Sequence, residues 1–326
     1  MLQFIWDYQI FSYILFCSIF AYLVFKNYKR TKILDSKKKR ISKLTVGSFF
    51  ILGVLILIYG SIIEPRLMKI TNIDINLRQT QKHEQLKIVH ISDIHVGTYK
   101  KEQYIRRLAD EINKIRPDLV VMTGDFILNN QEDAEYLRPL EKISRIYPTY
   151  AVTGNHEYNL GDWNNSSFSS LNDKTTTLRK VFDEIGVTLL ENQTKLIADN
   201  QGPFYLIGIE DIWKQNEELK NNLEKITANL NREYPTILLS HNPDIIIQDT
   251  SAFDLILSGH THGGQIRLPF IGSVMKLPTE ISDSYDKGLF SLENGNQLFI
   301  TSGVGESSPR SRLFCLPEIV VINLDL

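Results

Sequence analysis

Two long runs of apolar positions open the chain, and short ones follow them. Tyr8 to Phe25 is apolar and aromatic without a charge, and Leu44 to Ile63 is a second uncharged run rich in Ile, Leu and Val. Each is about long enough to cross the roughly 30 Å hydrocarbon core of a bilayer as a helix. After Glu64 the pattern changes. Residues 64–85 read as a polar connector in which Ile73, Ile75 and Leu77 alternate like an edge strand. From Leu86 onward, β-branched runs alternate with helical stripes. Strands are expected at Leu86–Ile91, Leu119–Met122, Thr149–Thr153, Phe204–Ile209, Thr236–Leu239 and Asp254–Leu257. Tyr104, Ile105, Leu108, Ile112 and Ile115 mark a helix closed by Pro117. Further helices are expected over Asp133–Ile146, Leu178–Ile185 and Glu217–Leu230, and a mobile loop over Asn164–Asn172. The closing third, from Leu255, reads as strands joined by Gly and Asn turns. Such alternation with a strand-rich tail fits an α/β fold, with two stacked mixed sheets flanked by helices. The expected organisation is a two-helix anchor over 1–63, a connector over 64–85 and a folded domain over 86–326.

Charge decides how the anchor is read. A signal peptide leads with positive charge and ends at a small-residue cleavage site. The first run has Asp7 and no basic residue before it, and the second ends in Tyr-Gly-Ser-Ile-Ile-Glu-Pro. Both therefore read as retained spans. Between them Lys26 to Lys43 carries nine Lys or Arg against one acid, Asp35. The positive-inside rule keeps that loop in the cytoplasm. A two-span protein of the cytoplasmic membrane follows, with everything after Glu64 on the outer side; a domain facing the cytoplasm is the alternative. The net charge of −2 conceals a split, since residues 64–326 hold 27 basic and 36 acidic side chains. So acidic a domain is not expected to bind nucleic acid, which favours basic faces. Cys17 lies in the first run and Cys315 is alone after it, which leaves no pair for a disulfide within the domain.

Five of the seven histidines fall in five short polar islands. They are Asp93-Ile94-His95, Gly124-Asp125, Gly154-Asn155-His156-Glu157, Ser240-His241 and Gly259-His260-Thr261-His262. Most stand where an expected strand ends, which is where open α/β sheets place their sites. Asp, Asn and His without Cys suit Zn, Mn or Fe. Two ions about 3.5–4 Å apart would address both obstacles to hydrolysing a phosphate ester, the poor nucleophile and the anionic target. Such a site needs a carboxylate that bridges both ions, and Asp125 is the natural choice. His90, inside a strand, and His83, in the connector, read as structural and solvated.

The islands, in this order, resemble the calcineurin-like metallophosphoesterases, from about Lys87 to the C-terminus. The extended Gly259–Gln265 run, Leu206–Asp211 and Pro317–Val320 resemble the membrane-anchored bacterial branch of that family. The resemblance implies a four-layer α/β/β/α sandwich and two divalent metal ions (Mn, Zn or Fe). It implies Asp93, His95, Asp125 and His262 around one ion, and Asp125, Asn155, His241 and His260 around the other. It makes His156 the proton donor to the leaving group, with Asp93 orienting its ring, and leaves Glu157 to support the loop. Arg310 and Arg312 are candidates for a substrate phosphate or head group, because arginine forks suit such oxygens; the alternative is a surface or salt-bridged role. Trp163 and Phe168 are candidates for a lid over a lipid-like substrate.

The function implied is a dinuclear phosphohydrolase of phosphodiesterase or phosphomonoesterase type. It would act through a metal-bridging hydroxide on a phosphate ester of the membrane or wall. Some members of the branch split the pyrophosphate of UDP-2,3-diacylglucosamine in lipid A synthesis, which is the alternative substrate. An inactive membrane-held binding or scaffold module is the alternative of another class, and would be expected to have lost a ligand.

Overall fold

The computed structural model describes residues 5–77, 85–160, 173–199, 202–215 and 218–326. His83, Trp163, Phe168 and the Asn164–Asn172 loop lie outside the described residues.

Both apolar runs are helical. Helices α1 (Ile5–Thr31) and α2 (Lys37–Ile58) pair as a hairpin, and α2 continues through a π turn at Tyr59–Ile63. Over Trp6–Thr31 and Lys37–Arg66 only 6% and 17% of the most apolar stretch is buried. Both are long and apolar enough to cross a membrane, and neither is a core helix. The basic block, expected as a loop from Lys26 to Lys43, is mostly helix, because Lys and Arg are good helix formers. Only residues 32–36 turn. Asp35, the one acid there, accepts from Thr31 Oγ1 and Lys43 Nζ at 2.6 Å each and staples the turn.

Beyond the hairpin, two six-stranded sheets stack. Strands β1 (Lys69–Asn76), β2 (Leu86–Ile91), β3 (Leu119–Thr123), β4 (Thr149–Val152) and β5 (Thr188–Leu189) belong to the first, with β14 (Glu318–Asp325) inserted between β1 and β2. The second runs β12 (Gly288–Ser291), β13 (Gln297–Ile300), β9 (Leu255–Ser258), β8 (Thr236–Leu239), β7 (Gly202–Gly208) and β6 (Gln193–Asp199). β2 to β5 are parallel, as are β7, β8, β9 and β13. A short hairpin, β10 (Arg267–Leu268) and β11 (Gly272–Ser273), stands apart. The alternating connector residues are the edge strand β1, paired in parallel with β14 from Lys69↔Glu318 to Asn76↔Asp325.

Period-two alternation sorts each strand's side chains between two cores. Val89, Ile91, Val120 and Met122 face helices α3 (Glu102–Ile115) and α5 (Thr175–Ile185). Ile88, Val121 and Val152 meet Leu206, Ile237 and Leu257 of the second sheet. Ile207, Leu238 and Ile256 close on Leu219 and Leu223 of helix α7 (Leu219–Thr227). Four layers, α/β/β/α, result. One expected helix differs. Asp133–Ile146 is a 3-10 segment, Gln131–Leu140, followed by the single turn α4 (Glu141–Ser144). Pro139 lies inside it and cannot donate the bond that a regular α-helix requires there. The four-residue helix α6 (Ile212–Gln215) carries no sequence signal of its own.

Glu64 locks the anchor to this sandwich. Fully buried at the end of α2, its carboxylate accepts from the amides of Phe314 (3.0 Å) and Cys315 (2.6 Å). Glu64→Ala strands both amides and is expected to cost about 1.5–3 kcal/mol. A thermal melt of the full chain in detergent should show Tm falling by several degrees. An unchanged melt would show that the junction does not depend on this carboxylate.

Candidate metal centre

The parallel strands of both sheets end at one edge, and their loops bring the five islands together. β2, β3 and β4 lead into Asp93-His95, Asp125 and Asn155-His156; β8 and β9 lead into His241 and His260-His262. Asp93, His95, Asp125 and His262 each place a ligand atom within 4.8 Å of the others, and Asp125, His241 and His260 form a second such group. Asp125 belongs to both. Asn155 joins the second group, its Oδ1 3.2 Å from His241 Nε2, while its Nδ2 donates to Leu160 O at 2.7 Å and so fixes which end of the amide faces inward.

Hydrogen bonds behind the rings decide which nitrogens face the centre. His241 Nδ1 donates to Thr123 O (2.7 Å) and His260 Nε2 to Pro278 O (2.8 Å). The remaining nitrogens, His241 Nε2 and His260 Nδ1, confront each other at 3.2 Å. His95 Nε2 and His262 Nε2 are also 3.2 Å apart, and lie 3.5 Å from Asp125 Oδ2 and 3.4 Å from Asp93 Oδ1 respectively. Lone pairs converging beside carboxylates repel until a cation lies among them, so the donor set fits a divalent metal. Backing groups that set the tautomer are what such ligands require.

The backbone is bent to make this possible. Asp93, His95, Asp125, His260 and His262 all have φ between 50° and 69°, a region costly for residues with a Cβ. Gly154 and Gly259 are needed for space: a Cβ on Gly154 would stand 2.3 Å from Asp125 Oδ1, and one on Gly259 2.0 Å from Ser92 Oγ. Glu157 braces the turn, accepting from the amides of Asp125, Phe126, Ile127 and Gly154 at 2.8–3.1 Å. Burial and the neighbouring Asp125 push its carboxyl up to about 7, against those four donors.

Charge within the cluster is shared unevenly. Burial drives His260 down to about 3 and holds His95 and His262 well below the usual imidazole value. Burial also opposes a charge on His241, but Asp125, Asp93 and Asp211 outweigh it and raise this ring to about 10. For Asp125 burial disfavours the anion, yet His241 above all, with His156, holds it well below the usual carboxylate range. Burial and Asp125 raise Asp93 to about 6.

His156 stands at the rim. Its amide donates to Asp125 Oδ1 at 2.9 Å, its ring Nε2 is 4.0 Å from Asp125 Oδ2, and its ring meets that of His95 edge-on at 4.7 Å. Both oxygens of Asp93, expected to orient that ring, accept from His260 N at 3.1 Å. His90 is buried in the core, with Nε2 2.8 Å from Thr123 Oγ1, and burial lowers it to about 3.

A cavity of about 820 Å³ opens over the cluster, with Asp125, Asn155, His156, His260 and His262 on its floor. The two arginines part company here. Arg312 is fully buried and spends its guanidinium on the carbonyls of Ser302, Gly303, Gly305 and Cys315, so the expected substrate contact is corrected to a structural strut. Arg310 lines the cavity, lies 3.8 Å over the Tyr99 ring, and keeps a buried Nε without a partner among the described residues. Sequence reasoning missed what holds it: Asp7 of α1 accepts from Arg310 (2.9 Å) and from Tyr99 Oη (2.7 Å). An acid inside an apolar helix was the available signal. Trp213, also unforeseen, packs edge-on to His260 at 4.9 Å.

Residues 86–264 match the pattern of the calcineurin-like phosphoesterases. The chain belongs to that family. A metallophosphoesterase of Campylobacter jejuni is 31% identical over 317 residues, covering 95% of this chain and 78% of the relative. The phosphodiesterase YaeI of Escherichia coli is 31% identical over 248 residues, 73% of this chain and 82% of the relative. The UDP-2,3-diacylglucosamine pyrophosphatase LpxG of Chlamydia muridarum is 27% identical over 315 residues, 83% of this chain and 93% of the relative. This calcineurin-like phosphoesterase is therefore a metal-dependent hydrolase, and its clustered Asp and His side chains fit a divalent metal site.

The carboxylates that raise His241 favour a proton on the ring that a metal ion needs as a lone-pair donor. With this ring raised to about 10, metal binding is expected to release that proton, and affinity is expected to rise with pH. The expected slope is about tenfold per pH unit for each proton released. Calorimetric titration of the full chain with Mn²⁺ between about pH 6 and 8, in buffers of different ionisation enthalpy, measures both quantities. A pH-independent affinity without proton release would contradict this account.

Proposed function

We propose that the protein is a dinuclear phosphohydrolase of the outer face of the cytoplasmic membrane, acting on a lipid-linked or envelope phosphate ester. The observation that carries this reading is the composition of the cavity wall. The same cavity has the metal-ligand cluster on its floor and Trp6 and Gln9, from the first apolar helix, on its rim. A substrate reaching the cluster passes beside the membrane anchor.

Asp93, His95, Asp125 and His262 would hold one ion, and Asp125, Asn155, His241 and His260 the other. Bound there, the ions neutralise phosphoryl oxygens and lower the pKa of the attacking water. Asp125 is the shared carboxylate. Asn155 contributes an oxygen without adding charge, so the site stays electrophilic. His156, partly exposed beside the floor, delivers a proton to the leaving-group oxygen. The hydrogen bond that its backbone N–H donates to Asp125 ties the position of that donor to the shared ligand. Arg310, pinned by Asp7 and Tyr99, offers its unspent Nε–H to an oxygen of the substrate beyond the scissile bond.

Orientation follows from charge. The basic residues gather where α1 and α2 turn, while Asp7 at the start of α1 and Glu64 past the end of α2 both touch the folded domain. If the turn is held in the cytoplasm, the domain lies outside. A second reading is favoured by the relative LpxG: the substrate is a diacylated nucleotide sugar, cleaved at its pyrophosphate by a domain facing inward. The two readings share chemistry and differ in the side of the membrane.

Asp125→Ala should lower metal stoichiometry and abolish hydrolysis of an aryl phosphodiester. His156→Ala should keep the metals and slow turnover by roughly 10²–10⁴-fold, a loss that shrinks when the leaving group needs no proton. Equal losses with good and poor leaving groups would remove His156 from the acid role.

A reporter active only in the cytoplasm should stay silent when fused after Leu326, and external protease should digest the domain in spheroplasts. Replacing most of the Lys and Arg between Lys26 and Lys43 with Gln should scramble the orientation. A protected domain with an active reporter would promote the nucleotide-sugar reading.

A further inference from the structure

Between Arg267 and Lys276 lie eight residues without a charge, Leu268 to Met275. β10 and β11 fold them into a hairpin, Arg267 facing Ser273 and Leu268 facing Gly272. The hairpin turns its apolar side chains away from all three cores. Phe270 is fully exposed, Ile271 is 72% exposed and Val274 55%. Clustered exposed side chains of this size mark an interaction surface.

The place of the hairpin is set by a short series of bonds from the membrane anchor. Gly60 O, in the last turn of the second apolar helix, accepts from Arg312 N at 2.8 Å, and Glu64 holds the amides of Phe314 and Cys315. Between these residues, Leu313 N donates to Gln265 O (3.0 Å) and Leu313 O accepts from Arg267 N (2.8 Å). One strand of irregular chain thus separates the membrane helix from the base of the hairpin. Exposed Ile62, Ile63, Leu67 and Phe314 continue the apolar surface across that junction. On its other side the hairpin rests on the metal-centre loop: Val274 N donates to Ile266 O at 3.0 Å, and a Cβ on Gly264 would stand 2.2 Å from Ser273 Oγ. Met275, Lys276 and Leu277 then form part of the cavity rim.

We propose that the Leu268–Met275 hairpin inserts into the bilayer surface beside α2, and so holds the mouth of the cavity against the lipid head groups. The occupant of this apolar face is lipid, because the face is continuous with the exposed end of a membrane-length helix. Lys276 at the exit of the hairpin suits the head-group layer, where a lysine keeps its ammonium wet above a buried stem. The hairpin would act as a third contact with the membrane, fixing the tilt of the domain that two helices alone leave free. Insertion does not depend on what the site hydrolyses. That the hairpin delivers a lipid-linked ester to the metals rests on the function proposed above.

Phe270→Trp in the full chain, reconstituted in phosphatidylethanolamine–phosphatidylglycerol vesicles, reads insertion directly. Relative to the parent protein, the added emission should be blue-shifted and quenched by lipids brominated near the head-group end of the acyl chain. Unquenched emission at the aqueous wavelength would overturn the proposal, and concentration-dependent self-association would then assign the face to a second copy. The pair Phe270→Ser with Ile271→Ser tests delivery, with neither residue in the cavity wall. Hydrolysis of bis-p-nitrophenyl phosphate should stay within about twofold of the parent, while hydrolysis of a phospholipid diester in vesicles falls about tenfold. Equal loss on both substrates would show a folding role and overturn delivery. If the tryptophan is quenched but the parent cleaves no vesicle lipid, insertion stands and the lipid-linked substrate falls.

Discussion

The rest of the structure depends on one buried carboxylate held among imidazoles. Asp125 Oδ2 lies 3.2 Å from His241, 3.5 Å from His95 and 4.0 Å from His156, almost fully buried at the floor of the cavity. Burial leaves little water to screen it, so each charge is felt by its neighbours more than at a surface. The neighbouring carboxylates raise His241, while burial lowers His95, His260 and His262. A divalent cation resolves the same conflict without a proton. The cluster is therefore best understood as a site whose charge balance is completed from outside.

Holding it together requires backbone that resists relaxation. Five residues of the cluster sit in the left-handed region, each at a cost of order 1–3 kcal/mol. Rigid strands on one side of each loop and the Glu157 brace at the Asp125 turn oppose that strain. Both sheets contribute, the first through β2, β3 and β4 and the second through β8 and β9. Any shift of one sheet over the other would separate His241 and His260 from Asp93 and Asp125. The apolar layer between the sheets is in this sense part of the metal centre.

The anchor is tied to the same centre rather than merely attached to the domain. Lys100 pairs with Glu306 in a buried site and also donates to Pro65 O (3.3 Å), just past α2. Glu306 lines the cavity, and Asp7 positions Arg310 across from it. Removing the first helix would therefore change the wall of the cavity.

Much of this was legible in the sequence, because hydrophobic periodicity reports which faces are buried and short islands report where strands end. The two apolar helices, the alternation of strands and helices, the edge strand at Ile73 and Ile75, and the polar residues gathered at strand ends all follow from local pattern. Pro139 altered one helix by a local rule that the stripe of apolar residues concealed. Tertiary structure alone decided the rest. Lys69 pairs with Glu318 across about three quarters of the chain, and no period encodes a partner so distant. Arg310 and Arg312 are two residues apart and chemically identical; one lines a cavity and the other is spent on buried carbonyls, because only the folded chain determines which acceptors surround a guanidinium. Likewise the sequence names the histidines, but the carbonyls of Thr123 and Pro278 decide which ring nitrogen each of two turns toward the centre. Residue type sets the chemistry that is available, and the position of neighbours remote in sequence sets which part of it is used.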